Sequence, residues 1–436
     1  MYNNDVRTNA EKKITIKEIL LDKYNEFKKR MWHRVPKEMR THVDNVVIKS
    51  LNCGDISKGF REYICLKCGD SRKIGFMCKG KFCNKCGRLY ALKWAEKQYE
   101  KMLKVSHRHV VFTIPDELRN YFYSNRELIK KLQDGVNEVI RYYYSKGKNK
   151  YEVGIIAVVH TFGKDIKWNP HVHTLITEGG VNKNTNWWTS IGYIPFEYLR
   201  KSWQKVVLDI MKDYRKDVDM KRLVNKMYKK YPNGFYVNAR RSLKDTSQAI
   251  KYIGRYLGRA AVAEYRIKSY DGETVVFWYK DEDNKRIELS MPVLEFIGKI
   301  TQQIHKKGFK TVRRYGLYSR RSSKRSQEII HLYRFMRQRN INELLKSKKE
   351  NTIKKSWKQR MIEFFGENPL SCKKCNSEME LYRVWHERYG LLYHIKDYCY
   401  REGKENDSRR RRVLLPDKWK RTGQDEVGGQ AVLGRQ

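Results

Sequence analysis

Two cysteine pairs, Cys65-Leu-Lys-Cys68 and Cys83-Asn-Lys-Cys86, stand fourteen residues apart, and no other feature restricts the fold of the chain so tightly. A C-x-x-C turn aims both of its sulfurs at one ion, so two such turns supply the four thiolates of a tetrahedral zinc site. Gly69 and Gly87, each directly after a pair, provide the tight backbone that these knuckles need. The bland alternative, buried structural cysteine, leaves the coincidence of two correctly spaced pairs unexplained. Cys53 and Cys78 lie in the same segment, and either could replace a ligand or help to hold a second ion. A third pair, Cys372-Lys-Lys-Cys375, lacks a second C-x-x-C nearby; His386, His394 and Cys399 are its candidate completions. Nine cysteines spaced in this way suit metal binding in a reducing cytoplasm better than a disulfide lattice.

Lys and Arg number 94 against 49 Asp and Glu, a formal charge of +45 on 436 residues. Such an excess repels itself unless a polyanion neutralises it, and a nucleic-acid backbone has the highest charge density available. Lys79, Lys81, Lys85 and Arg88 surround the cysteines, so the metal module would present positive charge to DNA. Chain-wide disorder is excluded, because 40% of residues are hydrophobic and 30 tyrosines, 15 phenylalanines and 10 tryptophans can fill a core. A membrane fits poorly: the longest apolar run, Gly154 to Val159, is far short of the ~20 residues that a spanning helix requires. The first thirty residues contain no apolar stretch of a secretory signal. The expected location is the cytoplasm, in association with the nucleoid.

From Ile14 to about Lys49 apolar residues such as Ile16, Ile19, Leu20, Tyr24, Phe27 and Met31 recur at three- and four-residue steps, which predicts an amphipathic helix over at least the first half, and residues 51–87 form the zinc module of a helical region over 1–104. Strands are expected at 107–115, 153–161, 171–177, 234–239 and 275–279, with helices at 89–105, 116–146, 196–222 and 243–263. The order of these elements is that of an α+β fold, and the close spacing of the middle strands favours an antiparallel sheet. One catalytic domain is placed at 105–320. A basic helical region with a candidate zinc knuckle follows at 321–420, and the Gly- and Gln-rich residues 421–436 read as a disordered tail.

The segment Asn169-Pro-His-Val-His-Thr-Leu-Ile-Thr177 puts His171 and His173 two apart in a strand, where a period of two sends both imidazoles to one face as half of a divalent-metal site. Alone, the pair is equally explained as structural. The helix around 244–259 adds weight. At about 100° per residue, Tyr252, Tyr256, Gln248, Arg255 and Arg259 fall within one arc of about 100°, and Ala249, Ile250, Ile253 and Leu257 form a separate apolar face. Ordinary core-edge tyrosines would not share their face with two arginines, whose guanidinium groups suit a phosphate. Gly254 and Gly258 cost a helix stability; they either let DNA or another backbone come close, or, for Gly258, cap the helix. A phenol with a pKa near 10 is a weak nucleophile, and neighbouring arginines and a histidine-bound ion would activate the attack on a phosphodiester.

Taken in order, CLKCG…MCKGKFCNKCG at 65–87, HVVFTIP at 109–115, HTFG at 160–163, NPHVHTLITEGG at 169–180, YIGRYLGR at 252–259 and RRYGLYS at 313–319 resemble the two-tyrosine rolling-circle transposases of insertion sequences, in the HUH endonuclease superfamily. The resemblance implies an HUH-type antiparallel sheet nuclease core with flanking helices behind a small amino-terminal zinc-binding domain. It implies Mg²⁺ or Mn²⁺ on His171 and His173, nucleophilic Tyr252 and Tyr256, and structural zinc on Cys65, Cys68, Cys83 and Cys86. Family members take a third, often polar, metal ligand from elsewhere; Gln248, one turn before Tyr252, is the first candidate and His160 the second. Arg255 and Arg259 are expected to contact DNA. The expected partner is single-stranded DNA or melted element ends. No GxxxxGK[ST] motif is present, so strand displacement falls to a host helicase; a homo-oligomer is also considered. Two alternatives stand beside this reading. One is a replication initiator or relaxase with the same chemistry, and the other is a non-enzymatic zinc-dependent DNA-binding protein.

Overall fold

The computed structural model describes residues 14–319, apart from 100, 104, 147–149, 192–193, 244–245, 259 and 282, together with residues 368–395 and the single positions 328, 359 and 362. The chain divides into two compact units, Met1–Val47 with Asn84–Thr352, and Ile48–Cys83 with Ile353–Gln436.

In chain order the elements begin with helices α1 (Ile16–Met31) and α2 (Arg40–Leu51), strands β1 (Gly59–Ile64) and β2 (Ser71–Gly75), helix α3 (Asn84–Tyr99), strand β3 (His107–Thr113), and helices α4 (Asp116–Ser124) and α5 (Leu128–Ser145). Next come β4 (Tyr151–Phe162), β5 (Trp168–Asn182), β6 (Trp188–Ser190), α6 (Phe196–Tyr214), α7 (Val218–Lys230), β7 (Val237–Leu243) and α8 (Thr246–Leu257). The remainder is β8 (Ile267–Tyr270), β9 (Thr274–Lys280), β10 (Arg286–Pro292), α9 (Val293–Thr301), β11 (Val312–Gly316), β12 (Glu380–His386) and β13 (Gly390–His394).

The larger unit is built on an antiparallel sheet of order β11-β4-β5-β3-β7, with β6 added to β5. Side chains alternate across it. Val110, Phe112, Ile155, Ala157, Val159, Val172 and Ile176 enter a core with α4, α5, α6 and α7. Ile156, Val158 and Leu175 enter a second core with Trp94 of α3 and with Ala249, Ile250, Ile253 and Leu257 of α8. Because both faces are covered, β4 reads as a continuous apolar run and not as an alternating one. The β4–β5 connection turns at Gly163–Lys167, where Gly163 N–H donates to the Lys167 carbonyl and Ile166 takes φ 59°. A separate sheet, β10-β9-β8, accompanies α9 and α1. Helix α1 starts on a capping box in which Thr15 and Glu18 each bond the other's backbone, an arrangement worth about 1 kcal/mol.

The smaller unit is a four-stranded sheet, β13-β12-β1-β2. Strand β1 pairs antiparallel with β12 from Gly59↔His386 to Ile64↔Glu380. Residues 368–395 are therefore a β hairpin preceded by a cysteine turn, where the sequence suggested a basic helical region over 321–420. The amino-terminal boundary at 104 also differs. The apolar stripe of α1, with Ile19, Leu20 and Phe27 buried, packs on α9, and α3 packs on α8, so both helices join the larger unit. The expected tail, 421–436, lies outside the described residues. No described helix is long and apolar enough to cross a membrane.

Candidate active site and metal centres

The register of the central strands brings three histidines together. His171 and His173, two apart on β5, share a face, and β4 places His160 directly opposite His171. One nitrogen from each of the three rings lies within 4.8 Å of the others. The Nδ1–H of His171 donates to the Asn169 carbonyl at 2.7 Å, which leaves Nε2 as its lone-pair nitrogen. That Nε2 faces the Nε2 of His173 at 3.1 Å. The other nitrogen of His173, Nδ1, lies 3.1 Å from Nε2 of His109 on β3. Metal–nitrogen bonds of about 2.1 Å set adjacent ligand nitrogens roughly 3.0–3.4 Å apart, so the observed spacing fits two imidazoles on one divalent ion. His160 and His173 are buried, and His171 is half-buried.

Helix α8 supplies the phenol. Its apolar face is fixed on Ile156, Val158 and Leu175, and the next position on the turn is Tyr256. The Tyr256 ring stacks on His173 with centroids 3.7 Å apart and an interplanar angle of 22°. It meets His160 edge-on at 5.6 Å and His109 face-on at 6.1 Å. Gly254 and Gly258 serve the close approach of another backbone, that of α3. A Cβ at Gly254 would lie 3.3 Å from the Ala95 Cβ, and one at Gly258 would lie 2.0 Å from the Gly87 carbonyl oxygen.

Of the residues expected at this site, His171, His173 and Tyr256 are brought together. Gln248 is exposed, and the third nitrogen near the pair belongs to His160, the second candidate. The side chains of Tyr252 and Arg255, and the whole of Arg259, lie outside the described residues. His109 was not singled out from the sequence; its place on the face of the HxH pair follows from the β3–β5 register, in which Val111 stands opposite His173. The RRYGLYS stretch is explained by packing. Gly316 takes φ 55°, and a Cβ there would lie 1.9 Å from the Val153 carbonyl oxygen. Tyr318 is buried with its hydroxyl on Nε2 of His107. Burial pushes the His107 pKa down to about 4 and raises that of Tyr318.

The cysteines form two tetrads among the described residues, and neither is the expected set of Cys65, Cys68, Cys83 and Cys86 on one ion. Cys65 and Cys68 join Cys372 and Cys375, while Cys83 and Cys86 join Cys53 and Cys78, each tetrad with its sulfurs within 4.8 Å. The division follows from the backbone. Pairing of β1 with β12 carries the carboxy-terminal cysteine turn to Cys65, and the Cys78 N–H points at the Cys53 sulfur at 3.4 Å. His386 accepts from the Arg388 N–H and lies tilted against Phe76, and His394 packs edge-on to Tyr382, so neither completes the carboxy-terminal pair. Cys399 lies outside the described residues.

Comparison with known proteins gives two family matches. Residues 154–327 match a family described as "Putative transposase" (Y2_Tnp), and residues 19–114 match the "Transposase zinc-binding domain" (Zn_Tnp_IS91). Among curated proteins the chain is 25% identical to the "Transposase for insertion sequence element IS801" of Pseudomonas savastanoi pv. phaseolicola, over 63% of this chain and 70% of that protein. It is 23% identical to the "Putative transposase y4qJ" of Sinorhizobium fredii, over 74% of this chain and 84% of that protein. No solved structure matches.

Proposed function

From a chain that belongs to the IS91-type rolling-circle transposases, we propose that DNA at the element ends is cut and rejoined by Tyr256 and Tyr252 through covalent phosphotyrosine, beside a divalent ion held by His160, His171 and His173. The observation that carries this reading is the stacking of Tyr256 on His173 within a cluster of three imidazoles. A divalent ion at this cluster would polarise the phosphodiester.

The protein's own groups perform the remaining tasks. The Asn169 carbonyl holds the proton of His171 on Nδ1, and His109 orients His173 from behind. Stacking on His173 limits the directions that the Tyr256 phenol can take, which lowers the cost of reaching an attack geometry. The phenol oxygen bonds to phosphorus as the bond from phosphorus to one sugar oxygen breaks. The phenol gives up its proton, and the departing oxygen takes one up. One DNA end remains on the tyrosine, and the other carries a free hydroxyl. Attack by a hydroxyl on the tyrosyl ester reverses the step and rejoins a strand without an external energy source. Tyr252, one helical turn earlier on α8, provides a second such exchange. The charge of +45 and the abundance of aromatic residues suit unpaired DNA, whose bases stack on rings while its phosphates pair with lysine and arginine.

The test is incubation with labelled single-stranded oligonucleotide carrying an element end, with Mn²⁺, followed by denaturing electrophoresis. A protein–DNA adduct is expected from the wild type. Tyr256→Phe and Tyr252→Phe should each lose one of two exchanges with DNA affinity nearly unchanged, and adducts persisting in the double variant would refute the proposal.

A further inference from the structure

The family match to a zinc-binding domain ends at residue 114, yet the carboxy-terminal segment repeats the fold of its first cysteine turn. In the amino-terminal turn the Gly69 N–H donates to the Cys65 carbonyl and the Cys65 N–H donates to the Asp70 carbonyl, both at 2.8 Å. In the carboxy-terminal turn the Asn376 N–H donates to the Cys372 carbonyl and the Cys372 N–H donates to the Ser377 carbonyl, both at 2.9 Å. Gly69 takes φ 71° and Asn376 takes φ 56° at the equivalent position; glycine and asparagine are the residues that tolerate that region best. The same knuckle is thus built twice, 307 residues apart.

The two knuckles face each other with their sulfurs interleaved. Cys65 lies 3.4 Å from Cys375, and Cys68 lies 3.5 Å from both Cys372 and Cys375. Four thiolates at about 2.3 Å from one ion sit about 3.8 Å apart along the edges of a tetrahedron, close to these distances, whereas a disulfide needs about 2.05 Å. Backbone pairing and packing also bring the turns together: β1 runs into Cys65, the β1–β12 pairing fixes the second turn beside it, and Tyr63 and Met379 pack around the inner sulfurs. Lys374 and Asp70 join the rims of the two turns at 3.0 Å.

We infer that Cys65, Cys68, Cys372 and Cys375 hold a zinc ion of their own, so that the zinc-binding module is completed by the carboxy-terminal segment and contains two metal sites. Binding replaces the four thiol protons with one Zn²⁺. The ion closes the chain on itself from residue 68 to residue 372, so the Asn84–Thr352 part of the larger unit is inserted between the two halves of one zinc knuckle pair. This inference does not depend on the tyrosine chemistry.

Full-length protein purified under reducing conditions should release two zinc ions per chain when its thiols are titrated with a mercurial and the metal is read with a chromogenic chelator. Cys372→Ser/Cys375→Ser should release one, and so should Cys65→Ser/Cys68→Ser. All four replacements together should still release one, because the two pairs serve the same ion. Zinc content unchanged in Cys372→Ser/Cys375→Ser would overturn the inference, as would a Cys65–Cys375 or Cys68–Cys372 disulfide found by mass spectrometry in the reduced preparation. Should the serine variants fail to fold, Cys372→His keeps a ligand in place. In cobalt-loaded protein it should shift the sulfur-to-metal absorption bands of one of two ions, and unshifted bands refute the assignment.

Discussion

The seam between α3 and α8 sets where the phenol stands, and the two glycines on it respond oppositely to the same added methyl group. A Cβ at Gly258 would meet the Gly87 carbonyl oxygen at 2.0 Å and the Gly87 carbonyl carbon at 2.7 Å, both backbone atoms that no rotamer change can move. Reaching ordinary contact of about 3.4 Å requires the helices to part by roughly 1.4 Å, an overpacking expected to cost about 2–3 kcal/mol. Gly258 follows the last helical residue, Leu257, so alanine recovers little helix propensity there. At Gly254 the nearest atom to an added Cβ is the Ala95 Cβ at 3.3 Å, which needs a shift of only about a tenth of an ångström. Alanine inside the helix gains up to about 1 kcal/mol. Gly254→Ala should therefore lie within about 1 kcal/mol of the wild type in chemical denaturation, while Gly258→Ala should lose about 2–3 kcal/mol. A displacement of about 1 Å in α8 also carries Tyr256 off its stack on His173, which should lower adduct formation by roughly 100-fold. Equal stability of Gly258→Ala and the wild type, or a larger loss in Gly254→Ala, would refute the argument that the seam positions the site.

Three further outcomes follow from the same geometry. His107 remains neutral in the folded protein down to about pH 4 but titrates near 6.5 when unfolded, so the unfolded chain binds the extra proton as pH falls. Its contribution to stability is full above pH 6.5 and declines by about 3 kcal/mol on going down to pH 4; the stability of wild type minus His107→Gln, measured by urea at pH 7 and pH 4.5, should shrink accordingly, and a constant difference counts against it. Three imidazoles are a donor set that favours Mn²⁺ over Mg²⁺, and competitive titration followed by the Mn²⁺ resonance signal should show a preference of about tenfold or more; equal affinities would point to oxygen ligands. His109→Ala should weaken Mn²⁺ binding by roughly 10–100-fold with the fold retained, and His109→Gln should restore part of it, because an acceptor again faces Nδ1 of His173. Unchanged affinity in His109→Ala would remove the positioning role.

The nuclease core was legible because its signals are local. A period of two on 169–177 put His171 and His173 on one face, and a period of 3.6 on 249–257 separated an apolar stripe from Tyr256; the structure uses both patterns as written. What spacing left undecided, including the choice of His160 over Gln248, depends on register between distant strands. His160 earns its place by standing opposite His171 on β4, and His109 by lying on β3 beside β5, relations that no spacing along the chain encodes. The angle of Gln248 on the helical wheel was correct as arithmetic, but a wheel has no depth, and one turn along α8 the side chain is exposed. Strands β8 and β10 were missed for a related reason. Their outward residues are largely Lys, Arg, Glu and Ser, so only β9, with Val275 and Phe277 buried, carries an apolar signal.

The cysteines mark the boundary most sharply. Spacing identifies which two thiols act together, since a C-x-x-C turn is closed by its own backbone hydrogen bonds. It cannot decide which pair joins which, because that depends on chain segments brought together by a sheet. Proximity in sequence favoured Cys65 and Cys68 with Cys83 and Cys86, at fourteen residues. The ladder between β1 and β12 reverses the choice: it places Cys372 and Cys375 against Cys65 and Cys68 and leaves Cys83 and Cys86 to Cys53 and Cys78. A loop of about three hundred residues costs about 3 kcal/mol more to close than one of about fourteen, because the entropy grows only with the logarithm of length. Six backbone pairings and a shared core around Met379 offset that difference, so the longer connection is the one the fold adopts.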